Sequence, residues 1–167
     1  MIQVYTGKGK GKTTASLGLA LRAVGAGLKV YIAQFCKSGR YSEIKVLKKI
    51  KGIKLEQFGR ACFIKRKILR EDRELAKKGL EKIKKIAKTK NYDMIILDEI
   101  NIALHFKLLD TIELIELLRS IPKDKEIVIT GRYAPKEIIK IADLVSEVKE
   151  IKHYYRKGIK ARKGIEF

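Results

Sequence analysis

The chain has 167 residues, is 46% hydrophobic, and carries 39 Lys and Arg against 19 Asp and Glu, a formal net charge of +20. A chain of this length buries roughly 70% of its unfolded surface, so residues 1–167 are expected to form a single domain with no need of a disulfide or metal staple. No apolar run is long enough to span a bilayer, and Met1-Ile2-Gln3-Val4-Tyr5 reads as a strand rather than a secretory signal, so a cytoplasmic location is expected.

Residues 3–6 are apolar and β-prone. Residues 12–24 then carry Leu17, Leu21 and Val24 at helical spacing, and Gly25-Ala26-Gly27 ends that helix. Residues 30–35 predict a second strand, 42–50 a short helix with Ile44, Leu47 and Ile50 inward, and 54–58 a shorter strand. Residues 72–88 place Leu75, Ala76, Leu80, Ile83 and Ala87 on one stripe, an amphipathic helix. The run Met94-Ile95-Ile96-Leu97 has the continuous apolar character of a strand buried on both faces of a parallel sheet. Helices are predicted at 101–106 and 111–119, a buried strand at 126–130, and a helix over 135–142 with Pro135 in its first turn. Residues 144–149 alternate as an edge strand does, and 153–167 are basic and irregular. Alternating strand and helix without a linker or repeat predicts an α/β fold: a P-loop NTPase-like, doubly wound, mostly parallel sheet flanked by helices.

Between the first strand and first helix lies Thr6-Gly7-Lys8-Gly9-Lys10-Gly11-Lys12-Thr13-Thr14. Glycines let successive N–H groups curl around one anion, and the helix N-terminus adds its partial positive charge. Lys12 is placed to reach a phosphate oxygen and the Thr13 hydroxyl to ligate Mg2+, so this segment predicts binding of a nucleotide triphosphate, ATP with magnesium. The loop is short. Only Lys8, Gly9 and Lys10 stand between Gly7 and Gly11, and Thr6 occupies the position where the usual pattern has Gly. A cradle of this size leaves room for a triphosphate in an unusual register.

The second element is Ile95-Ile96-Leu97-Asp98-Glu99. A carboxylate at the C-terminal end of such a strand faces the ligand crevice, where Asp98 or Glu99 can serve magnesium; the competing reading of Asp98 is a helix N-cap. Arg132 in Thr130-Gly131-Arg132 can contact phosphate bidentately or can be a surface side chain after a turn. Arg22, on the first helix, is a weaker candidate. Neither His105 nor His153 has a metal-spaced partner, and neither is given a catalytic role. Cys36 and Cys62 show no metal-ligand spacing and are read as thiols. The charge favours anionic partners, but no nucleic-acid motif accompanies it, and lysines on helix faces account for much of it. A basic P-loop ATPase acting on nucleic acid is the competing function, and a non-enzymatic nucleotide-binding regulator the third.

The string from Tyr5 to Thr14 resembles the ATP:corrinoid (cob(I)alamin) adenosyltransferase family of P-loop type. Leu97-Asp98-Glu99-Ile100-Asn101, Ile129-Thr130-Gly131-Arg132, Ala142-Asp143-Leu144-Val145-Ser146-Glu147 and Gly164-Ile165-Glu166-Phe167 resemble its other signatures, as do Gln34-Phe35 and Lys152-His153. The resemblance implies transfer of the 5′-deoxyadenosyl group of ATP to the cobalt of a reduced corrinoid, with release of triphosphate, in adenosylcobalamin synthesis or salvage. The cobalt is then the nucleophile, and no side chain is expected to act as nucleophile or base. The family is described as binding ATP in reversed orientation on a shortened loop. The resemblance assigns Gly7 to Thr14 to the triphosphate, Thr13 and Glu99, with Asp98, to magnesium, and Arg132 and Arg22 to the nucleotide. It further implies a homodimer and a flavoprotein or similar electron donor. Two departures stand out. The family's Gly-Phe-x-Trp, thought to displace the lower axial ligand of the corrinoid, aligns with Ala61-Cys62-Phe63-Ile64, where Phe63 is offset by one position and the chain has no Trp. An N-terminal extension that covers the site in some members has no counterpart ahead of the first strand.

Overall fold

A strand apolar along its whole length must be covered on both faces, and the computed structural model sets the strand of Met94 to Asp98 inside a six-stranded sheet. It describes residues 1–39, 41–60 and 68–167. The strands are β1 (Ile2–Thr6), β2 (Val30–Phe35), β3 (Ile53–Phe58), β4 (Met94–Asp98), β5 (Glu126–Thr130) and β6 (Leu144–Glu147). The helices are α1 (Lys12–Gly25), α2 (Ser42–Leu47), α3 (Arg70–Ala87), α4 (Ile100–His105), α5 (Thr111–Ser120) and α6 (Lys136–Ile141). The strand order is β3-β2-β4-β5-β1-β6, and every neighbouring pair is parallel.

Side chains alternate across the sheet and divide the core in two. Val30, Ile32, Met94, Ile96 and Val128 face α1 and α2, where Leu17, Ala20, Ile44 and Leu47 cover them. Tyr31, Phe35, Ile95, Leu97, Ile127 and Ile129 face the other way, under Leu80, Ile83, Ile100, Leu114 and Ile138. α3 lies so close to β2 and β3 that a Cβ on Gly79 would stand 2.8 Å from Phe35 Cε1 and from Phe58 Cγ, so this helical position requires glycine.

Several boundaries differ from those expected, each for a local reason. α3 starts at Arg70 because Asp72 reaches back to accept the Leu69 N–H at 2.9 Å. α2 stops at Leu47, and the chain turns through residues 48–52 into β3, where Gly52 has φ 95°. Pro135 is the N-cap of α6 rather than part of its first turn. Asp110 caps α5, its Oδ1 accepting from Ile112 N and Glu113 N at 2.7 and 3.1 Å. β6 is the expected edge strand but ends at Glu147, and a 3-10 turn over Tyr154–Lys157 interrupts the expected irregular segment. No helix among the described residues is long and apolar enough to cross a membrane.

Candidate nucleotide site

The loop after β1 is braced by the chain leaving β6. Val148 N donates to Thr6 O and Gly9 N donates to Val148 O, both at 2.8 Å. A Cβ on Gly7 would fall 2.5 Å from Val148 O, and one on Gly9 2.8 Å from Lys149 O, so side chains are excluded where the loop crosses this segment. Gly7 and Gly11 hold φ of 98° and 119°, a region that glycine enters without strain, and Gly11 is the N-cap of α1. Lys12 is then the first helical residue. It is buried and folds back to donate to Gly9 O at 2.6 Å. Burial lowers its pKa, and the nearby charges of Arg132 and Lys37 act in the same direction.

Register builds the rest of the site. Gln34 on β2 pairs with Gln57 on β3 and Asp98 on β4, while Leu97 pairs with Ile129, which brings Asp98 beside Thr130 on β5. Asp98 and Thr130 end their strands and Gln34 and Gln57 stand one residue before the ends of theirs, all on the face toward α1, where they form a polar row. Gln57 Nε2 donates to Gln34 Oε1 at 3.1 Å, and Gln34 Nε2 to Asp98 Oδ2 at 3.1 Å. Thr130 Oγ1 donates to Asp98 Oδ1 at 2.7 Å, and Thr13 Oγ1, from the first turn of α1, donates to the same oxygen at 2.9 Å. Lys37, just past β2, donates to Asp98 Oδ2 at 2.8 Å and to Thr13 Oγ1 at 3.0 Å. Asp98 has no exposed surface. Burial alone would raise its pKa, but the Lys37 charge and the bonds from Lys37, Thr130 and Thr13 outweigh that and hold it below the usual carboxylate range. Burial likewise works against the Lys37 ammonium, and the Asp98 and Glu99 charges overcome it.

Asp98 is therefore the last residue of β4 and not a helix cap. Glu99 takes the N-cap position of α4 at φ 59°, its N–H donating to Thr130 Oγ1 at 3.0 Å. Gly131 leaves room for it: a Cβ there would stand 3.3 Å from Glu99 Oε2 and 2.9 Å from Asn101 Cβ. Burial raises the Glu99 pKa, Asp98 adds to the rise, and Lys37, Lys12 and Arg132 oppose it.

The structure brings Gly7, Gly9, Gly11, Lys12, Thr13, Asp98 and Glu99 together, with the exposed Arg132 near enough for its charge to act on both Lys12 and Glu99. Lys8 and Thr14 are exposed at the rim; Lys8, Gly7, Arg132 and Tyr133 line a cleft of about 770 Å³. Arg22 is set apart in the last turn of α1, about 15 Å along the helix from Lys12. Phe63 lies outside the described residues, as does Cys62. Lys10 turns away from the loop interior: its Nζ donates to Glu166 Oε1, Tyr154 OH and Ile165 O at 2.8–2.9 Å. Tyr154 OH also donates to Glu166, and Ser42 Oγ donates to Phe167 O at 3.1 Å, so the last residues clasp the loop against α2. Neither histidine is at the loop chemistry: His105 stacks on Tyr133 with ring centroids 4.2 Å apart, and His153 Nδ1 accepts the Tyr155 N–H at 3.1 Å.

Lys37 had no assigned role in the sequence, and Gln34, Thr130 and Glu166 had none beyond their places in motifs. The available signal for Gln34 and Thr130 was a polar residue at or next to the end of an otherwise apolar strand.

Magnesium takes one or two carboxylates, hydroxyls and phosphate oxygens rather than an all-protein cage. The Thr13 hydroxyl and the Asp98 carboxylate already enclose a cationic ammonium, so these hard oxygen donors fit such an ion.

A glycine loop between strand and helix, a Lys-Thr pair on the helix's first turn and an acid closing a nearby strand define a P-loop nucleotide-binding fold. Solved structures agree on the fold. The KaiC-like protein PH0186 from Pyrococcus horikoshii matches 90% of this chain and 73% of its own with TM-score 0.58 at 18% identity. The flagellar accessory protein FlaH from Methanocaldococcus jannaschii matches 87% and 69% with TM-score 0.54 at 15% identity. The family model described as ATP:corrinoid adenosyltransferase BtuR/CobO/CobP matches residues 1–167. Corrinoid adenosyltransferases from Sinorhizobium sp and Escherichia coli K12 are 36% and 32% identical over all of this chain, which covers 80% and 85% of their lengths. The chain belongs to the ATP:corrinoid adenosyltransferase family, and its class is that of a transferase.

Proposed function

We propose that this chain transfers the 5′-deoxyadenosyl group of ATP to the cobalt of a reduced corrinoid and releases triphosphate. The observation that carries the reading is the convergence of Lys12, Thr13, Asp98 and Arg132 on a shortened phosphate loop, in a chain that matches the adenosyltransferase family along its whole length. The reduced cobalt supplies the electron pair of the new Co–C5′ bond and passes from the +1 to the +3 state. The C5′–O bond breaks, and its pair leaves on the triphosphate. The protein's share is to align cobalt, C5′ and the leaving oxygen, and to stabilise the departing charge.

The loop amides and the start of α1 hold the phosphates. Lys12 exchanges the Gly9 carbonyl for a phosphate oxygen, and Arg132 closes over the group from β5. Thr13, Asp98 and Glu99 would hold Mg2+, which when bound neutralises triphosphate charge. The short loop suits a nucleotide lying in reverse, with its triphosphate in the cradle and C5′ turned outward to the corrinoid. The corrinoid face is assigned by resemblance to Phe63 and its neighbours. A flavoprotein or similar donor supplies the electron that produces the +1 cobalt, and the working unit is a homodimer.

The test is anaerobic incubation with ATP and chemically reduced cobalamin, followed by identification of the phosphate product. Triphosphate supports the transfer. ADP with phosphate, stimulated by RNA or DNA in a salt-dependent way, supports a nucleic-acid ATPase instead.

A further inference from the structure

Lys37 takes no part in the steps above, yet its backbone is closely hemmed in. It follows Cys36, which holds φ 55°, and a Cβ on the neighbouring Gly59 would stand 2.5 Å from Lys37 N. The backbone is thus fixed, and the side chain reaches inward. Its Nζ lies 3.0 Å from Thr13 Oγ1 and 2.8 Å from Asp98 Oδ2, the two protein oxygens that the proposed function gives to the metal. The Tyr41 ring stands 5.8 Å from the same ammonium. Asp98 is fully buried, and a buried carboxylate stripped of its counter-charge is strongly destabilising. A divalent ion held by Thr13 and Asp98 needs the space that the ammonium fills, and two cations cannot share it. The four-carbon stem of lysine lets the charge relocate without moving the backbone.

We infer that Lys37 is the resident counter-ion of the metal position, exchanged for the divalent ion as the nucleotide enters and then free to take up a phosphate oxygen. The fold in this way keeps Asp98 neutralised in both states, and the displaced charge ends on the group whose departure must be stabilised. The inference rests on the reading that Thr13 and Asp98 serve the metal.

The experiment uses the full chain without nucleotide and Mg2+ alone as the probe. Lys37→Met should melt roughly 5–10 °C below wild type in the absence of divalent ions. Millimolar MgCl2 should restore much of that loss, while wild type responds no more than it does to NaCl of equal ionic strength. Adding Asp98→Asn to Lys37→Met should abolish the response, and Lys37→Arg should melt near wild type and stay insensitive to Mg2+. A Lys37→Met protein no more responsive than wild type overturns the inference, as does a response that survives Asp98→Asn. If Lys37→Met and the milder Lys37→Gln fold only in the presence of MgCl2, the exchange is supported; if neither folds with or without it, the exchange is refuted. The metal reading is tested separately by Thr13→Val in the otherwise unchanged chain. Loss of the Mg2+ dependence of ATP affinity there sustains that reading even where the Lys37 response is absent. Unchanged dependence removes the reading itself.

Discussion

The two faces of the sheet are equally buried at its carboxyl end and are built on opposite chemistry. Phe35, Leu97 and Ile129 close the face under α3 to α6, and their chain neighbours Gln34, Asp98 and Thr130 close the face under α1; all six have no exposed surface. The apolar face is held by area and packing, so a lost methyl group costs a graded amount. The polar face is held by hydrogen bonding: Gln34, both oxygens of Asp98 and Thr130 are bonded to one another or to Thr13, Lys37 and Gln57, and removing one partner leaves another buried and unsatisfied. A period-2 pattern therefore carries core and site on alternate residues of the same strands.

The comparison breaks most sharply at Leu97. Leu97→Ala should cost about 2–5 kcal/mol and lower the melting temperature by roughly 5–15 °C. ATP affinity, titrated by calorimetry well below the transition, should stay near wild type. A large loss of affinity with a small loss of stability would show that the two faces are not independent.

Lys12→Ala should do the reverse. ATP affinity should fall at least ~10-fold, because a charge-assisted phosphate contact disappears. The melting curve should barely move, since the ammonium is already disfavoured by burial in the nucleotide-free protein. Unchanged affinity in the titration would remove Lys12 from the site.

Thr130→Val and Ile129→Val sharpen the contrast between neighbouring residues. The first keeps the shape but deprives Asp98 Oδ1 of a donor and Glu99 N of an acceptor, at a cost of about 1–3 kcal/mol. The second removes one methylene and should cost about 0.5–1.5 kcal/mol. Denaturant titration of both should show the polar loss to be the larger.

The smallest effect has the opposite sign. The folded-state pKa of Glu99 is raised, so folding favours its protonated form. The stability it contributes is complete below the ordinary carboxylate range and is lost as pH rises through the folded value. At neutral pH the ionised group is a burden on the nucleotide-free protein. Glu99→Gln should therefore melt roughly 1–3 °C higher than wild type at neutral pH, with the gap closing below about pH 4, while turnover falls and its Mg2+ dependence shifts. A variant that melts lower at neutral pH would place Glu99 in a stabilising ion pair.

Sequence legibility tracks the range of the interactions. Met94 to Leu97 and Leu80 with Ile83 declare their elements through local periodicity, and the phosphate loop declares itself through consecutive residues. The start of α3 was placed two residues late because the group that sets it, Asp72, lies inside the helix. Arg22 has helical spacing but sits at the far end of α1 from the loop, a matter of helix rise that composition does not express. Lys37 was illegible because its partners are 24 and 61 residues away and meet it only through strand register. Glu166 stood out only as part of the motif Gly164 to Phe167; its partner was illegible because residues 153–167 have no periodicity, and their place follows from a clasp on Lys10.

The position of β1 between β5 and β6 has a consequence for synthesis. The phosphate loop leaves the ribosome ahead of the strands that anchor it, because among the described residues β1 pairs with Ile127 to Thr130 and with Leu144 to Glu147. A nascent chain that has not yet delivered those strands has no edge on which to set β1. It can pair β2, β3 and β4 among themselves, but it holds Gly7 to Thr14 as an unanchored, strongly basic arm. The phosphate loop is thus set in place only once residues 126–147 have emerged, when a segment made earlier is enclosed by strands made later.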